Sequence, residues 1–266
     1  MPSDNVSPFL AIYSDILNNG IEESPRGCKI LELENYSFRL HPINDRFTSF
    51  KARKMNLDYA KFEIAWYLRG NRFETESVCD KAQMWKTIID VDGGINSNYG
   101  QYIFKDQEQL VWVINELQRD KSSRRAVMTL LNCTHLRDNN PDVVCTYAIG
   151  FRIRRGKLNM TVHMRSCDAI WGMTNDVFCF SVIYEIAYCL LQKTYPDLEI
   201  GEYYHIADSL HVYERHFNML QELVSQGQSG HEIVECPRIH GHNEAIRLWD
   251  QSEPLESDSF SHWLKS

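Results

Sequence analysis

The sequence predicts an α+β fold in one domain, built around a large mixed or antiparallel sheet that helices flank. Helical and strand-like patterns alternate along the 266 residues, and a hairpin signal lies near the middle. No repeat, low-complexity tract or Pro/Gly/Ser linker divides the chain, and the length suits one large domain. We therefore predict a single domain over residues 1–266, in which residues 226–266 match the pattern only weakly.

Helical periodicity marks five segments: residues 8–19, 59–69, 106–117, 177–191 and 210–224. The first has a proline in its first turn and Gly20 after its end, as helices commonly do. In the second, which Asp58 is predicted to cap and Gly70 to end, apolar residues run nearly all round. This pattern indicates a buried helix.

Strand-like runs of apolar and β-branched residues occupy four further segments: residues 29–40, 126–131, 146–153 and 158–164. The last two are separated by the short polar run Arg154-Arg155-Gly156-Lys157. Such a run between two strands predicts a hairpin.

The composition is that of a soluble globular protein, with 43% hydrophobic and 24% charged residues. A net charge of −8 argues against stable nucleic-acid binding, so an anionic ligand would need a local cluster of arginines. The eight cysteines include no C-x-x-C pair, so we predict free thiols in the cytoplasm and no metal site. The N-terminus lacks the features of a secretion signal, and no apolar stretch predicts a membrane span.

Four short motifs carry candidate chemistry. Cys145 lies at a predicted loop-to-strand junction, Arg165 to Asp168 end a strand, Arg124-Arg125 precede another, and His211-Val212-Tyr213 begin a predicted helix. Taken singly, each has an ordinary explanation, namely a buried free cysteine, a surface ion pair, a polar loop and a helix start.

In their order and spacing, these motifs resemble the thymidylate synthase family from about Pro8 to Val224. Glu63 in the buried helix matches the family's glutamate, and Trp85 and Tyr99, fourteen positions apart, match its Trp and Tyr. The usual Pro-Cys-His at the nucleophile is here Val-Cys-Thr. The family's uracil-reading asparagine falls on Asp176, or on Asn175 if the register slips by one. These departures resemble the deoxycytidylate hydroxymethylase branch. The ending that closes over the folate has no match in residues 259–266.

The resemblance implies a folate-dependent reaction at carbon 5 of a pyrimidine nucleoside monophosphate. The Cys145 thiolate adds to carbon 6, because sulfur is soft and more readily ionised than a hydroxyl oxygen. Carbon 5 then takes a one-carbon unit from 5,10-methylenetetrahydrofolate, and water traps it as hydroxymethyl. Glu63 is expected to act as general acid and base.

The resemblance also implies the binding residues. Substrate contacts are assigned to eight side chains: Arg26, Tyr99, Arg124, Arg125, Arg165, Ser166, His211 and Tyr213. The arginines and Ser166 would bind the phosphate, while His211 and Tyr213 would hold the sugar hydroxyl. Arg124 and Arg125 would reach across from a partner subunit, which implies a homodimer with shared sites. Trp85, Asp168 and Gly172 are assigned to the folate. Arg165 is expected to lower the pKa of Cys145.

Asp176 is expected to select the base. A carboxylate accepts a hydrogen bond from the cytosine amino group but opposes the uracil carbonyl, because both are then acceptors. The ordinary alternative is a helix N-cap. Other functions stay open at this stage: a CMP hydroxymethylase, a uracil-specific enzyme that uses Asn175, or a non-enzymatic nucleotide- or RNA-binding regulator. The retention of Cys145 together with Glu63 argues against the last.

Overall fold

The computed structural model describes residues 7–106, 108–234, 236–250 and 259–265. Its strands are β1 Ile21–Glu23, β2 Ile30–Leu40, β3 Thr48–Phe50, β4 Val127–Thr129, β5 Thr146–Arg154, β6 Lys157–Met164, β7 Cys167–Asp168, β8 Glu199–Tyr213 and β9 His231–Ile233. Its α-helices are α1 Pro8–Asn19, α2 Leu57–Arg69, α3 Thr75–Lys81, α4 Gln109–Arg119, α5 Gly172–Gln192, α6 Phe217–Gln226, α7 Gly241–Asp250 and α8 Phe260–Lys265.

Within these ranges, seven strands form one mixed sheet in the order β1-β2-β8-β6-β5-β4, with β7 beside β8. The pairs of β6 and β7 with β8 are parallel, and the other pairs are antiparallel. A separate two-stranded sheet joins β3 to β9. The predicted fold class, a mixed sheet flanked by helices, is therefore confirmed, whereas the boundaries of the domain stay a prediction.

The hairpin between β5 and β6 also forms as predicted. Its two central residues, Arg155 and Gly156, both have positive φ angles, of 52° and 77°. A two-residue turn with positive φ at both positions matches the twist of the strands that it joins. This hairpin places the start of β5, next to Cys145, beside the end of β6, next to Arg165.

The core is built around α5, of which most side chains are buried on all sides. Among the described residues, α5 is the helix that is long and apolar enough to cross a membrane, but 83% of an 18-residue stretch of it is buried inside the protein. Tyr184 on α5 donates a hydrogen bond to the Leu158 carbonyl and accepts one from the Gly201 amide. These bonds fix the helix against β6 and β8.

Two element predictions were wrong. Residues 210–213 belong to β8, and the helix starts only at Phe217, because Leu210 and Val212 alternate with a period of two. Asn56, rather than Asp58, caps α2 by accepting from the Tyr59 amide. The weakly patterned end of the chain carries β9, α7 and α8, and α7 packs on α5.

Candidate active site

Cys145 lies immediately before β5, on a loop that Arg165 holds. The Arg165 guanidinium donates to the carbonyls of Val143 and Val144, and the Arg165 amide donates to the Cys145 carbonyl at 2.8 Å. Nη2 of Arg165 also lies 3.7 Å from the Cys145 sulfur. The arginine predicted to assist the thiol therefore also fixes the backbone on which the thiol stands.

The same loop is fastened to the turn that carries Tyr99. The Ser97 amide and hydroxyl donate to the Asp142 carboxylate at 2.7 and 2.5 Å. On the other side of Cys145, the Thr146 amide donates to the Tyr99 hydroxyl at 3.2 Å. The loop is thus anchored on both sides of the half-buried thiol. Tyr99 was predicted as a site residue, whereas Ser97 and Asp142 were missed because their partnership spans 45 residues.

Arg165 lowers the pKa of Cys145, as expected, but burial has the larger effect on that pKa. Burial raises the pKa of the Cys145 thiol to about 11, and the positive charges of Arg165 and Arg26 only partly oppose it. The carboxylates of Asp176 and Asp142 raise it further. Loss of hydration therefore outweighs the arginines, and protonation of a neighbouring carboxyl group would help the thiol to ionise.

Glu63 is the second chemical group of the site. It lies on α2, is 6% exposed, and burial raises its pKa to about 7 although hydrogen bonds from Tyr59 and Cys179 oppose the shift. Tyr59 donates to Oε1 at 3.1 Å, and the Cys179 thiol lies 3.9 Å from Oε2. A carboxyl group with a pKa near neutrality suits general acid–base chemistry.

Asp176 lies in the second turn of α5, so it does not cap that helix, which begins at Gly172. Burial, with the negative charges of Glu63 and Asp168, raises the pKa of its carboxyl group well above the usual range. Its own charge raises the pKa of Cys145 and of Tyr99. The Asp176 carboxylate therefore lies among the predicted site residues.

Asp168 and Gly172 lie beside Asp176. A Cβ atom built on Gly172 would lie 3.6 Å from Oδ2 of Asp176 and 3.7 Å from Cβ of Asp168. Oδ1 of Asp168 accepts from the Ile170 amide at 3.0 Å. The two carboxylates thus flank the start of α5.

His211 and Tyr213 lie at the end of β8, where β8 pairs with β7 at Asp168. Burial lowers the pKa of His211, and its ring packs edge-to-face on Tyr213 with 5.0 Å between centroids. Arg26 is exposed on the turn between β1 and β2. Its charge acts on both Tyr213 and Cys145, so the structure brings these residues together.

The remaining predicted residues lie differently. Arg124 and Arg125 are exposed before β4, where Arg125 lies 3.8 Å from Glu116 and over the Trp112 ring. Ser166 is half-buried between Arg165 and β7. Within the one chain, Arg125 thus packs against α4.

Trp85, predicted as a wall for the folate, is only 5% exposed, and its indole N–H is used by Tyr59. The exposed indole near the start of α5 belongs to Trp171, which is 41% exposed. Arg53 packs 4.7 Å over that ring and donates to the Ile170 carbonyl. Sequence patterns did not select Trp171, although it directly precedes Gly172.

A cavity of about 470 Å³ lies on the other face of α2. Phe62, Ala65 and Arg69 line it together with side chains of α7 and α8. These α2 residues point away from Glu63, so the cavity is separate from the site described above.

The fold and these groups define a class of protein: an α+β enzyme that combines a thiol at the head of a strand, one buried and one half-buried carboxyl group, and an arginine that binds the thiol's loop. The thymidylate synthase family model matches residues 7–246, and the chain belongs to that family. The predicted family and enzyme class, the folate-dependent one-carbon transferases, are thereby confirmed.

Among the proteins similar to this chain is the deoxyuridylate hydroxymethyltransferase of Bacillus phage SP01, 29% identical over 221 residues. The deoxycytidylate 5-hydroxymethyltransferases of Enterobacteria phages T2 and T4 are 28% identical over 218 residues. Each alignment covers 76% of this chain, but 56% of the SP01 protein and 83% of the T2 and T4 proteins. This chain thus spans little more than half the length of the SP01 relative, and the relatives differ in the pyrimidine that their names specify.

Proposed function

We propose that this protein is a deoxycytidylate 5-hydroxymethyltransferase. The observation that carries the proposal is the carboxyl group of Asp176, which lies close enough to Cys145, Glu63 and Tyr99 to interact with each electrostatically. An acid at this position can accept a hydrogen bond from the cytosine amino group and share a proton with ring nitrogen 3. The raised pKa of Asp176 supports this role, because the carboxyl group then has a proton to share.

The cytosine assignment also explains how the thiol could add to the ring. The sulfur of Cys145 bonds to carbon 6, and a proton from Asp176 at nitrogen 3 draws electrons from the ring. As long as Asp176 holds this proton, its carboxyl group places no negative charge beside Cys145. Arg165, and Arg26 on the neighbouring hairpin turn, would bind the phosphate close by.

The residues near the start of α5 fit a folate. Trp171 offers an exposed ring for stacking, Asp168 offers a hydrogen-bond acceptor, and Nη1 of Arg53 is buried without a hydrogen-bond partner among the described residues. Bound methylenetetrahydrofolate would supply the one-carbon unit at carbon 5. Glu63 would orient the water that adds to the methylene group on the pyrimidine and exchange a proton with it.

A homodimer with shared sites is part of the proposal. The register of the sheet places Tyr204, Thr161, Gly150 and Val127 in one row across β8, β6, β5 and β4. Directly opposed residues point to the same face, and Tyr204 and Val127 are each 38% exposed. A second copy stacked on this face would bury the row and bring exposed Arg125, two residues before Val127, into the interface.

A cytoplasmic location is also proposed. All eight cysteines are free thiols, and two of them, Cys28 and Cys133, are exposed. Free exposed thiols are typical of a reducing compartment.

A second candidate is a deoxyuridylate hydroxymethyltransferase. The similarity to the SP01 enzyme favours it, as does the half-buried Asn175 beside Asp176. An asparagine can donate to the uracil carbonyl and accept from the ring N–H.

The proposal is tested by incubating the protein with methylenetetrahydrofolate and dCMP, CMP or dUMP, and weighing the products by mass spectrometry. We expect 5-hydroxymethyl-dCMP, and none with Cys145→Ser, because a hydroxyl is far less ionised than a thiol. Cys133→Ser, which changes an exposed thiol, is the matched control and should retain activity. Product from dUMP alone would establish the second candidate, and product from CMP at a higher rate than from dCMP would move the assignment to the ribonucleotide.

A further inference from the structure

Three side chains from two segments form a hydrogen-bonded chain that ends on Glu63. The Trp85 indole nitrogen donates to the Tyr59 hydroxyl at 3.0 Å, and that hydroxyl donates to Oε1 of Glu63 at 3.1 Å. Tyr59 and Glu63 are four residues apart on α2, so they lie on the same face of the helix. Trp85 itself is held by its edge-on packing against Trp66, with 5.2 Å between centroids.

The hydrogen bonds in this chain can point in only one direction. An indole N–H donates and cannot accept, so the oxygen of Tyr59 accepts a hydrogen bond from Trp85. The Tyr59 hydroxyl hydrogen then needs an acceptor, and Oε1 of Glu63 is the acceptor that it meets. If Oε1 itself carried a proton, the hydroxyl hydrogen of Tyr59 would be left without this partner in a largely buried place, which is costly.

The other oxygen of Glu63 has a different environment. Oε2 faces α5, where the Cys179 thiol lies 3.9 Å away and Asp176 stands one turn earlier. A thiol is a weak donor and a weak acceptor, so it tolerates Oε2 in either protonation state. The two oxygens of one carboxyl group are therefore inequivalent.

We propose that Tyr59 is a positioning residue, and that the one-way chain from Trp85 confines the exchangeable proton of Glu63 to Oε2. When the acid reacts, the O–H bond at Oε2 breaks, its electron pair stays on the carboxylate, and the proton passes to the water with which Glu63 is proposed to exchange it. The Tyr59 hydrogen bond is already in place to stabilise the charge that remains. This inference rests on the proposed role of Glu63 as the acid and base of the site.

Other groups also face Glu63. Tyr67 lies one turn further along α2, and its pKa is raised by burial and by the Glu63 charge. From α5, Cys179 and Asp176 face it, and the pKa of each is raised well above its usual value by burial and by the Glu63 charge. Among the described residues, Tyr59 is the hydroxyl that donates directly to the Glu63 carboxylate.

The test measures the pKa of Glu63 directly, by NMR of protein labelled with ¹³Cδ-glutamate, and the Glu63 signal is the one that Glu63→Gln removes. Tyr59→Phe keeps the ring and removes the donor, so the carboxylate loses stabilisation and the pKa of Glu63 should rise by about one pH unit. Tyr67→Phe removes a hydroxyl from the same helix without removing this bond and should leave the pKa in place. Cys179→Ser, which keeps a donor at Oε2, should not raise it.

Turnover is measured in parallel. With Tyr59→Phe, kcat should fall about tenfold or more while the KM for the nucleotide changes little, and the pH limb assigned to Glu63 should move upward with the NMR value. An unmoved Glu63 pKa in Tyr59→Phe would overturn the inference, even if Glu63→Gln abolishes turnover. If the pKa of Glu63 rises in Tyr59→Phe but Glu63→Gln keeps full turnover, the hydrogen-bonded chain is supported and the proposed acid–base role of Glu63 is not.

Discussion

At the scale of the residue, Asp176 is the side chain that we propose selects the base. The charge of the Asp176 carboxylate acts on Cys145 and Tyr99, which favours Asp176 over Asn175 as the residue that faces the ring. Because its pKa is raised, two forms must be considered. A protonated acid can pair with either base by exchanging its donor and acceptor oxygens, whereas the carboxylate suits the cytosine amino group and opposes the uracil carbonyl.

Asp176→Asn should therefore shift the ratio of kcat/KM for dCMP over dUMP toward dUMP by at least about tenfold, since one mismatched buried hydrogen bond costs about 1.4 kcal/mol or more. Parallel kinetics on Asn175→Ala provide the control, and a large shift there with none in Asp176→Asn would remove the cytosine assignment.

At the scale of the element, the C-terminal segment is fastened to the core helix by a buried ion cluster. Glu185 on α5 is fully buried and accepts from Arg46 at 2.5 Å and from Arg238. Arg46 also donates to the Pro237 carbonyl and lies 5.6 Å from the centre of the Phe260 ring on α8. One carboxylate thus joins α5 to the loop before β3 and to the segment leading to α7.

Arg46→Met should lower the free energy of unfolding by about 3 kcal/mol, because Glu185 keeps its buried charge and loses a partner. Denaturant unfolding measures the change. Lys157→Met breaks the exposed pair with Glu199 and serves as control, with an expected loss of under about 0.5 kcal/mol. Equal effects of the two substitutions would show that the buried cluster does not stabilise the fold.

At the scale of the whole molecule, we propose a homodimer in which each site is shared between the two chains. If Arg124 serves the partner's site, inactive Arg124→Ala and inactive Cys145→Ala proteins should complement each other. After random exchange, half of the dimers contain one chain of each variant. Each of these mixed dimers has one intact site out of two, so about a quarter of wild-type activity should return.

Mixing Arg165→Ala with Cys145→Ala is the control for this experiment. Arg165 and Cys145 touch within one chain, so every mixed site keeps one defect and activity should stay absent. Subunit exchange is confirmed with differently tagged chains. Failure of the Arg124 pair to recover after exchange would mean that each chain builds its own site.

The sequence by itself determined the fold class, the family and the order of the chemical motifs. These motifs are local patterns, which neighbouring residues define and which can therefore be recognised in the sequence. They are a cysteine at the head of a strand, Arg-Ser-Cys-Asp after a hairpin, and a glutamate in a helix that is apolar on nearly all faces. The strand over residues 210–213 was missed for a physical reason: its pairing with β2 and β7 depends on contacts far along the chain.

Only the tertiary structure decided the ionisation of the site and the partners that control it. The high pKa of Cys145 arises from burial, which no spacing encodes, and which outweighs the nearby arginines. Asp142 meets Ser97 across 45 residues, and Cys179 meets Glu63 across 116. Desolvation and hydrogen bonding depend on which atoms the fold brings within a few ångströms of one another, and that is fixed only when the helices and the sheet pack together.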